Sequence, residues 1–207
     1  PQSKNRNHKP SIIFAISTFG LGHIYLESKL NQELFLYINA FAGKNAYLDA
    51  IGIGFGEYFP YLLITLMVYL YFVIKNHNEV MVAFLSTVFA LSINYIIGLM
   101  YFHNRPFMDN IGITLKTHTA DSSFPSDHTT FVFAIISALL LFKSTRKIAA
   151  ILLPFGVISS FARVFEGIHY PLDIVSGLVV GFVSAVIVYN LRHRINHAFT
   201  KLEKKIH

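Results

Sequence analysis

The 207-residue chain contains no cysteine, so it can form neither a disulfide nor a thiolate metal site. Charge is scarce as well. Only 14% of the residues are Asp, Glu, Lys or Arg, against roughly 25% in soluble domains. Hydrophobic residues make up 54% of the chain and mean hydropathy is +0.51. Together these exclude an ordinary soluble domain and point to several membrane-crossing helices. No internal repeat and no low-complexity segment interrupts the pattern. The net charge of +6 is uneven, much of it lying in the first nine and last sixteen residues. In a membrane protein that placement reads as topology, and no nucleic-acid partner is expected.

What the chain has in quantity is long apolar runs. After a polar segment, Pro1–Pro10, comes Ser11–Leu26, only about 24 Å long as a helix. A signal-peptide core is the rival reading, but no small-x-small cleavage site follows clearly, which favours a span. Leu30–Ile53 places Leu34, Phe35, Ile38, Phe41 and Ala42 at helical spacing among polar residues, the pattern of an amphipathic helix lying in the interface. Five further spans follow: Glu57–Ile74, with Pro60 near its start; Val80–Phe102; Thr129–Phe142, behind the capping pair Ser126-Asp127; Ile148–Ala162, interrupted by Pro154; and Leu172–Leu191, preceded by Pro171. The expected fold is all-α, a six-transmembrane-helix bundle with an interfacial amphipathic helix after the first span. The expected organisation is one membrane domain over 11–191, between the polar 1–10 segment and a basic cytoplasmic tail over 192–207. Counting Lys and Arg in short loops puts the N-terminus, the Lys75 turn, the Lys143–Lys147 turn and the tail in the cytoplasm. Lys29 and Lys44 fall on the other side and are outnumbered. The Asn104–Asp127 loop and the Val164–Tyr170 connection are then extracytoplasmic.

Three polar strings stand at the edges of these runs: Arg105-Pro106, Pro125-Ser126-Asp127-His128, and Arg163-x5-His169-x3-Asp173. Ionisable groups at a membrane boundary are costly and need a function. Arginine matches phosphate geometry and stays charged, so Arg105 and Arg163, from the ends of two spans, suit a clamp on one phosphate. Ser126 offers a hydroxyl, and the helix start behind it offers backbone N–H groups. Histidine titrates near neutral pH. His169 and Asp173 are spaced to share a helix face; the carboxylate would fix the tautomer and leave the other ring nitrogen free to attack. His128 is placed to protonate a departing oxygen. The histidines and aspartates have no zinc-like spacing, so neither metal nor cofactor is expected.

These three strings resemble the motifs of the type-2 phosphatidic acid phosphatase superfamily, over Glu57–Leu191. The wording around them narrows the resemblance. Ile93-Asn94-Tyr95, Tyr101-Phe102-x-x-Arg105-Pro106-Phe107, Ser123-Phe124-Pro125-Ser126-Asp127-His128-Thr129-Thr130 and His169-Tyr170-Pro171-Leu172-Asp173 resemble the bacitracin-resistance type of undecaprenyl-diphosphatase. That resemblance implies a multi-pass enzyme of the bacterial plasma membrane. It would hydrolyse an isoprenyl diphosphate lipid to the monophosphate at the outer face, recycling the carrier for cell-wall synthesis. It implies His169 as nucleophile through a phosphohistidine, Asp173 as its orienter, His128 as acid, and Arg105, Ser126 and Arg163 as phosphate ligands.

Three positions depart from the family pattern. A lysine usually stands where this chain has Gly98, and Lys116 is a loop candidate to replace it. Ala162 stands for a serine. Asp127 stands for a glycine and reads as a helix cap. His103, His118 and His193 read as interfacial or loop histidines, Tyr101 and Tyr170 as interface aromatics, Asn94 as a helix–helix hydrogen bond, and Glu166 as a supporting partner or a solvated group. The rival functions are a phosphatase of another lipid (phosphatidylglycerol phosphate, phosphatidic acid or lipid A), a phosphotransferase, or a non-enzymatic transport component.

Overall fold

A computed structural model describes residues 29–206, so the expected first span, Ser11–Leu26, lies outside the described residues. The structure is all-helical there: α1 over 29–39, α2 Ala46–Phe72, α3 His77–Met100, α4 Asp127–Leu140, α5 Arg146–Phe165 and α6 Pro171–Ile206. Among the described residues, four helices are long and apolar enough to cross a membrane: α2, α3, α5 and the Pro171–Ile195 part of α6.

α4 is shorter, at 14 residues, because it is the centre of the bundle. Ten of its residues are buried, and it packs against α3, α5 and α6. Val132, Phe133, Ile136 and Leu139 meet Leu63 of α2, Val82 and Ala83 of α3, Ala149 of α5, and Ala185 and Val188 of α6. Lipid tails are as apolar as these side chains, so close van der Waals fit rather than the hydrophobic effect holds such helices together. Gly177 and Gly181 supply that fit on α6. A Cβ on the first would come 2.7 Å from the Ser126 carbonyl oxygen, and on the second 2.8 Å from Ala134 N. The outward faces carry large exposed apolar residues, such as Leu62 and Tyr69 of α2, Leu99 of α3 and Phe182 of α6.

Leu30–Ile53 is not one helix. The chain turns after Asn39, and Asn45 caps a new helix by accepting from the backbone N–H groups of Tyr47 and Leu48 at 2.9 and 3.2 Å. Ala46–Ile53 is therefore the first part of α2. Phe35 and Ala42 are fully buried, while Leu34 and Phe41 stay exposed, so part of the apolar stripe faces protein. The buried Asn39 shows why: its side chain accepts from Ile113 N at 2.7 Å and donates to the Ile113 and Phe165 carbonyls at 2.8 Å each. α1 is a brace for the loop after α3 and for the end of α5. Because α2 starts early, Pro60 lies inside it. α5 likewise runs unbroken through Pro154, and α6 continues as helix past Arg192.

Candidate active site

Five helix ends meet at one end of the bundle. α3 delivers the loop carrying Arg105, α4 begins at the Ser126 cap, α5 ends on Arg163 and Glu166, and α6 begins with Pro171 and Asp173. α2 enters from the same end, with Gly56 and Glu57. The Lys75 turn and the Lys143–Lys147 turn lie at the opposite end, where Ser144 donates to Glu79 of α3 at 2.6 Å.

His169 is the hub. Its Nε2 lies 3.1 Å from Arg105 Nη1. A guanidinium has only donors, so Nε2 carries the lone pair and the ring proton sits on Nδ1. Nδ1 faces the Asp173 carboxylate at 3.4 Å and Ser123 Oγ at the same distance. Asp173 is fully buried; its Oδ2 also accepts from Tyr170 N at 2.8 Å and from the Ser123 hydroxyl. His169 is itself buried. Burial first, then the positive charges of Arg105 and Arg163, hold its pKa well below the ordinary histidine value, so the ring is neutral. The expected pairing of His169 with Asp173 is thus present in the structure, with Ser123 as a third member.

Arg105 uses its whole fork. Nε donates to Asp121 at 2.8 Å, Nη1 to the Ile168 carbonyl at 3.0 Å, and Nη2 to the Ser122 carbonyl at 3.4 Å. Arg163 reaches the same connection from the other side, its carbonyl accepting from Ile168 N at 3.2 Å. Its guanidinium donates through Nη1 to Glu166 at 3.0 Å, to Glu57 at 3.1 Å and to the Gly56 carbonyl at 3.4 Å. Pro60 explains that carbonyl. A proline four residues on has no N–H to give it, so Gly56 O is left for the arginine. Gly56 has no side chain for a second reason: a Cβ there would collide with Glu166 Oε1. Glu166 is fully buried, and burial pushes its pKa up to about 7.

The second string is divided. Ser126 is buried and caps α4, with Oγ 3.4 Å from Thr129 N and 3.2 Å from Thr129 Oγ1. It makes no hydrogen bond to either arginine or to His169. Asp127 is not the cap. It is the first helical residue, and its carboxylate accepts from Asn94 at 2.8 Å. Asn94 also donates to Thr130 Oγ1 at 2.9 Å, so the expected interhelical hydrogen bond is present. His128 Nε2 lies 2.8 Å from Ser159 Oγ, which donates on to the Phe55 carbonyl at 2.8 Å. His128 therefore donates from Nε2, leaving Nδ1 as the acceptor.

Beside the site an open cavity of about 850 Å³ runs between α2, α3 and α4. Asp121, Ser122 and His128 mark its polar end, and Ile64, Leu91 and Phe131 its apolar end. A second apolar cavity, of about 940 Å³, shares those last three residues and continues along α2 and α3 to His77.

Nothing in the spacing of Ser123, Asp121 and Glu57 marks them in the sequence. His103 and Tyr170 have the sequence setting of interfacial residues. His103 Nδ1 instead lies 3.7 Å from Asp173 Oδ1, and Tyr170 is buried against Phe35 with its hydroxyl donating to Asp109 at 2.9 Å.

Known proteins resemble this chain over most of its length. The chain is 38% identical to undecaprenyl-diphosphatase BcrC of Bacillus subtilis, over 77% of this chain and 83% of that one. It is 31% identical to the bacitracin transport permease protein BcrC of Bacillus licheniformis, over 86% and 92%. The crystal structure of Aquifex aeolicus LpxE superposes with a TM-score of 0.67 at 25% identity, covering 78% of this chain and 95% of that one. Residues 79–197, which carry all three polar strings, match the PAP2 superfamily, and the chain belongs to that family.

Proposed function

We propose that this protein hydrolyses undecaprenyl diphosphate to undecaprenyl phosphate and inorganic phosphate. The observation that carries the reading is the orientation of His169, with its protonated nitrogen on Asp173 and Ser123 and its lone pair beside the Arg105 guanidinium. A terminal phosphate drawn to Arg105 meets that lone pair. His169 Nε2 attacks phosphorus, and the bond to the bridging oxygen breaks. Asp173 holds the proton on Nδ1 and stabilises the charge that develops on the ring. His128, whose Nδ1 lone pair takes up a proton as the anionic substrate binds, gives that proton to the departing lipid phosphate and takes one from the water that then cleaves the phosphohistidine, releasing inorganic phosphate. Arg163 neutralises phosphate oxygens. Ser126, as the cap, sets the start of α4, whose free first-turn N–H groups add donors. The isoprenyl chain lies in the apolar cavities between α2 and α3.

The site faces away from the cytoplasm in this reading. It lies at the end opposite Lys75, Lys143, Arg146 and Lys147, as the excess of basic residues in cytoplasmic loops requires. In a bacterial plasma membrane the substrate diphosphate would then be met at the outer surface, the 11–191 domain would hold all the chemistry, and the 192–207 tail would be cytoplasmic. The name of the Bacillus licheniformis relative suggests transport. A buried histidine–aspartate–serine set at helix ends, instead of charges along mid-span, favours hydrolysis.

The test is phosphate release by the purified protein from undecaprenyl diphosphate, phosphatidylglycerol phosphate, phosphatidic acid and lipid A, with His169→Ala as the blank. Undecaprenyl diphosphate is expected to lead in kcat/KM by tenfold or more. No release from it above the blank would refute the proposal.

The pH dependence follows from the His169 shift. A depressed histidine pKa means the unprotonated nucleophile is fully present above the depressed value and is lost only as pH falls through it. kcat/KM reports the free enzyme. Corrected for ionisation of the substrate and measured in Glu166→Gln, which removes the carboxyl that titrates at about 7 beside Arg163, it is expected to hold level as pH falls past the ordinary histidine value of about 6.5. An acid limb at or above that value in Glu166→Gln would contradict a pre-deprotonated His169.

A further inference from the structure

One carboxylate in this site holds two cations apart. Glu57 Oε1 lies 3.1 Å from Arg163 Nη1, and its Oε2 accepts from Lys116 Nζ at 2.7 Å. An acceptor bridging an ammonium and a guanidinium occupies the kind of place that a phosphate oxygen takes. The two carboxylates on Arg163 are not equivalent. Glu166 grips it from the buried side, with a side chain 1% exposed, whereas Glu57 is 28% exposed and Lys116 51%. Glu57 is the partner that an incoming anion can displace.

Lys116 is held where it is by its own backbone. Leu115 N donates to the Glu166 carbonyl at 3.0 Å, and Ile113 is clamped on both sides by the buried Asn39 of α1. The loop therefore presents Lys116 beside Arg163 without a large swing. Gly98 of α3, which lines the cavity beside the site, offers no such group, and a Cβ there would touch nothing.

We propose that Lys116 and Arg163 form a phosphate subsite of the active site, and that Glu57 is its displaceable placeholder in the free protein. The ligand class is a phosphate or diphosphate group, and the inference deepens the proposed phosphatase function. When the substrate enters, its oxygens replace the Glu57 carboxylate between the two cations. Glu57 keeps Arg163 and Lys116 aligned and compensated until then. This gives α1 a part in the chemistry as well, because Asn39 sets the backbone from which Lys116 projects.

The test measures inorganic phosphate binding to the full-length purified protein by calorimetry, alongside its inhibition constant against lipid hydrolysis. Lys116→Ala is expected to weaken phosphate tenfold or more and to raise KM by a similar factor, with Lys116→Arg staying within threefold of wild type. Glu57→Gln is expected to tighten phosphate at least threefold, because the competing charge is gone. It should lose that gain in the Lys116→Ala background. Phosphate affinity within twofold of wild type in Lys116→Ala overturns the subsite. Weaker phosphate binding in Glu57→Gln overturns the placeholder and makes Glu57 a plain positioning group for Arg163. A wild-type protein that binds phosphate in this Lys116-dependent way yet cleaves no lipid would leave the subsite standing and remove the phosphatase reading. Active protein with Lys116-independent binding would do the reverse.

Discussion

His169→Ala should release phosphate at least about four orders of magnitude more slowly than wild type, the scale on which removing a catalytic nucleophile or its base acts. The size of the effect follows from what the ring joins. Nε2 is the acceptor beside Arg105, and Nδ1 points to Asp173 and Ser123. Among the described residues, His169 is the histidine that hydrogen-bonds Asp173 through one nitrogen and faces an arginine with the other. The rate should be followed with substrate labelled in its terminal phosphate. An acid quench should then be avoided, because a phosphohistidine survives base and is lost in acid. Wild type trapped in base is expected to carry label on the protein, and His169→Ala none. Retention of the normal rate, or of base-stable label, by a well-inserted His169→Ala protein would show that another group attacks. His169 is buried, so Asp173→Asn is a useful companion. It keeps the volume but loses the charge that fixes the tautomer, and a loss of about 10²–10⁴ in kcat is expected with the fold intact.

Arg105→Ala is expected to lower kcat/KM by about 10²–10³, the range measured when one preorganised donor is taken from a developing charge. Arg105→Lys should recover little of it. Four acceptors surround the guanidinium: Asp121, the carbonyls of Ile168 and Ser122, and His169 Nε2. A lysine ammonium is a single point with three donors and cannot span that fork. The loss should fall on kcat as well as KM, because the same Nη1 touches both the backbone beside His169 and the attacking nitrogen. Steady-state kinetics of the two variants decide it. Arg105→Lys within tenfold of wild type would mean that only charge, not geometry, is used there.

Much of this site could be read in one dimension, and particular residues show where that stopped. Arg105, His128, Arg163, His169 and Asp173 stand out in sequence because charged groups are rare in this chain and these sit at the edges of apolar runs. His169 and Asp173 also share a helical spacing. Ser123 has no such mark. It becomes the third member of the dyad only because the chain between α3 and α4 folds back, with Ser123 N donating to the His103 carbonyl and Ser126 N to the Asp173 carbonyl. Glu57 is separated from Arg163 by 106 positions, and no periodicity relates residues across such a gap. In sequence Asp127 looks like the cap, because Ser and Asp are both good caps. Ser126 holds the extended backbone that a cap needs, and Asp127 instead meets Asn94 of α3.

The helices themselves follow local rules, and there the boundaries went astray for a reason. Leu30–Ile53 carries one apolar stripe, yet the chain breaks within it, because Asn45 can cap and Asn39 has buried carbonyls to satisfy. Pro60 sits inside α2 because its missing hydrogen bond is replaced from another helix, by Arg163 to the Gly56 carbonyl.

By itself the order of amino acids determined that this is a helical membrane protein, and it singled out the rare polar groups to which we assign phosphate chemistry. Composition, run length and short spacings act through neighbours along the chain, and a linear string contains them. Only the tertiary structure decided which carboxylate answers which arginine, that a serine completes the histidine–aspartate pair, and that a lysine and an arginine share one glutamate. Those pairings depend on which helix ends meet in space, and packing around α4 sets that.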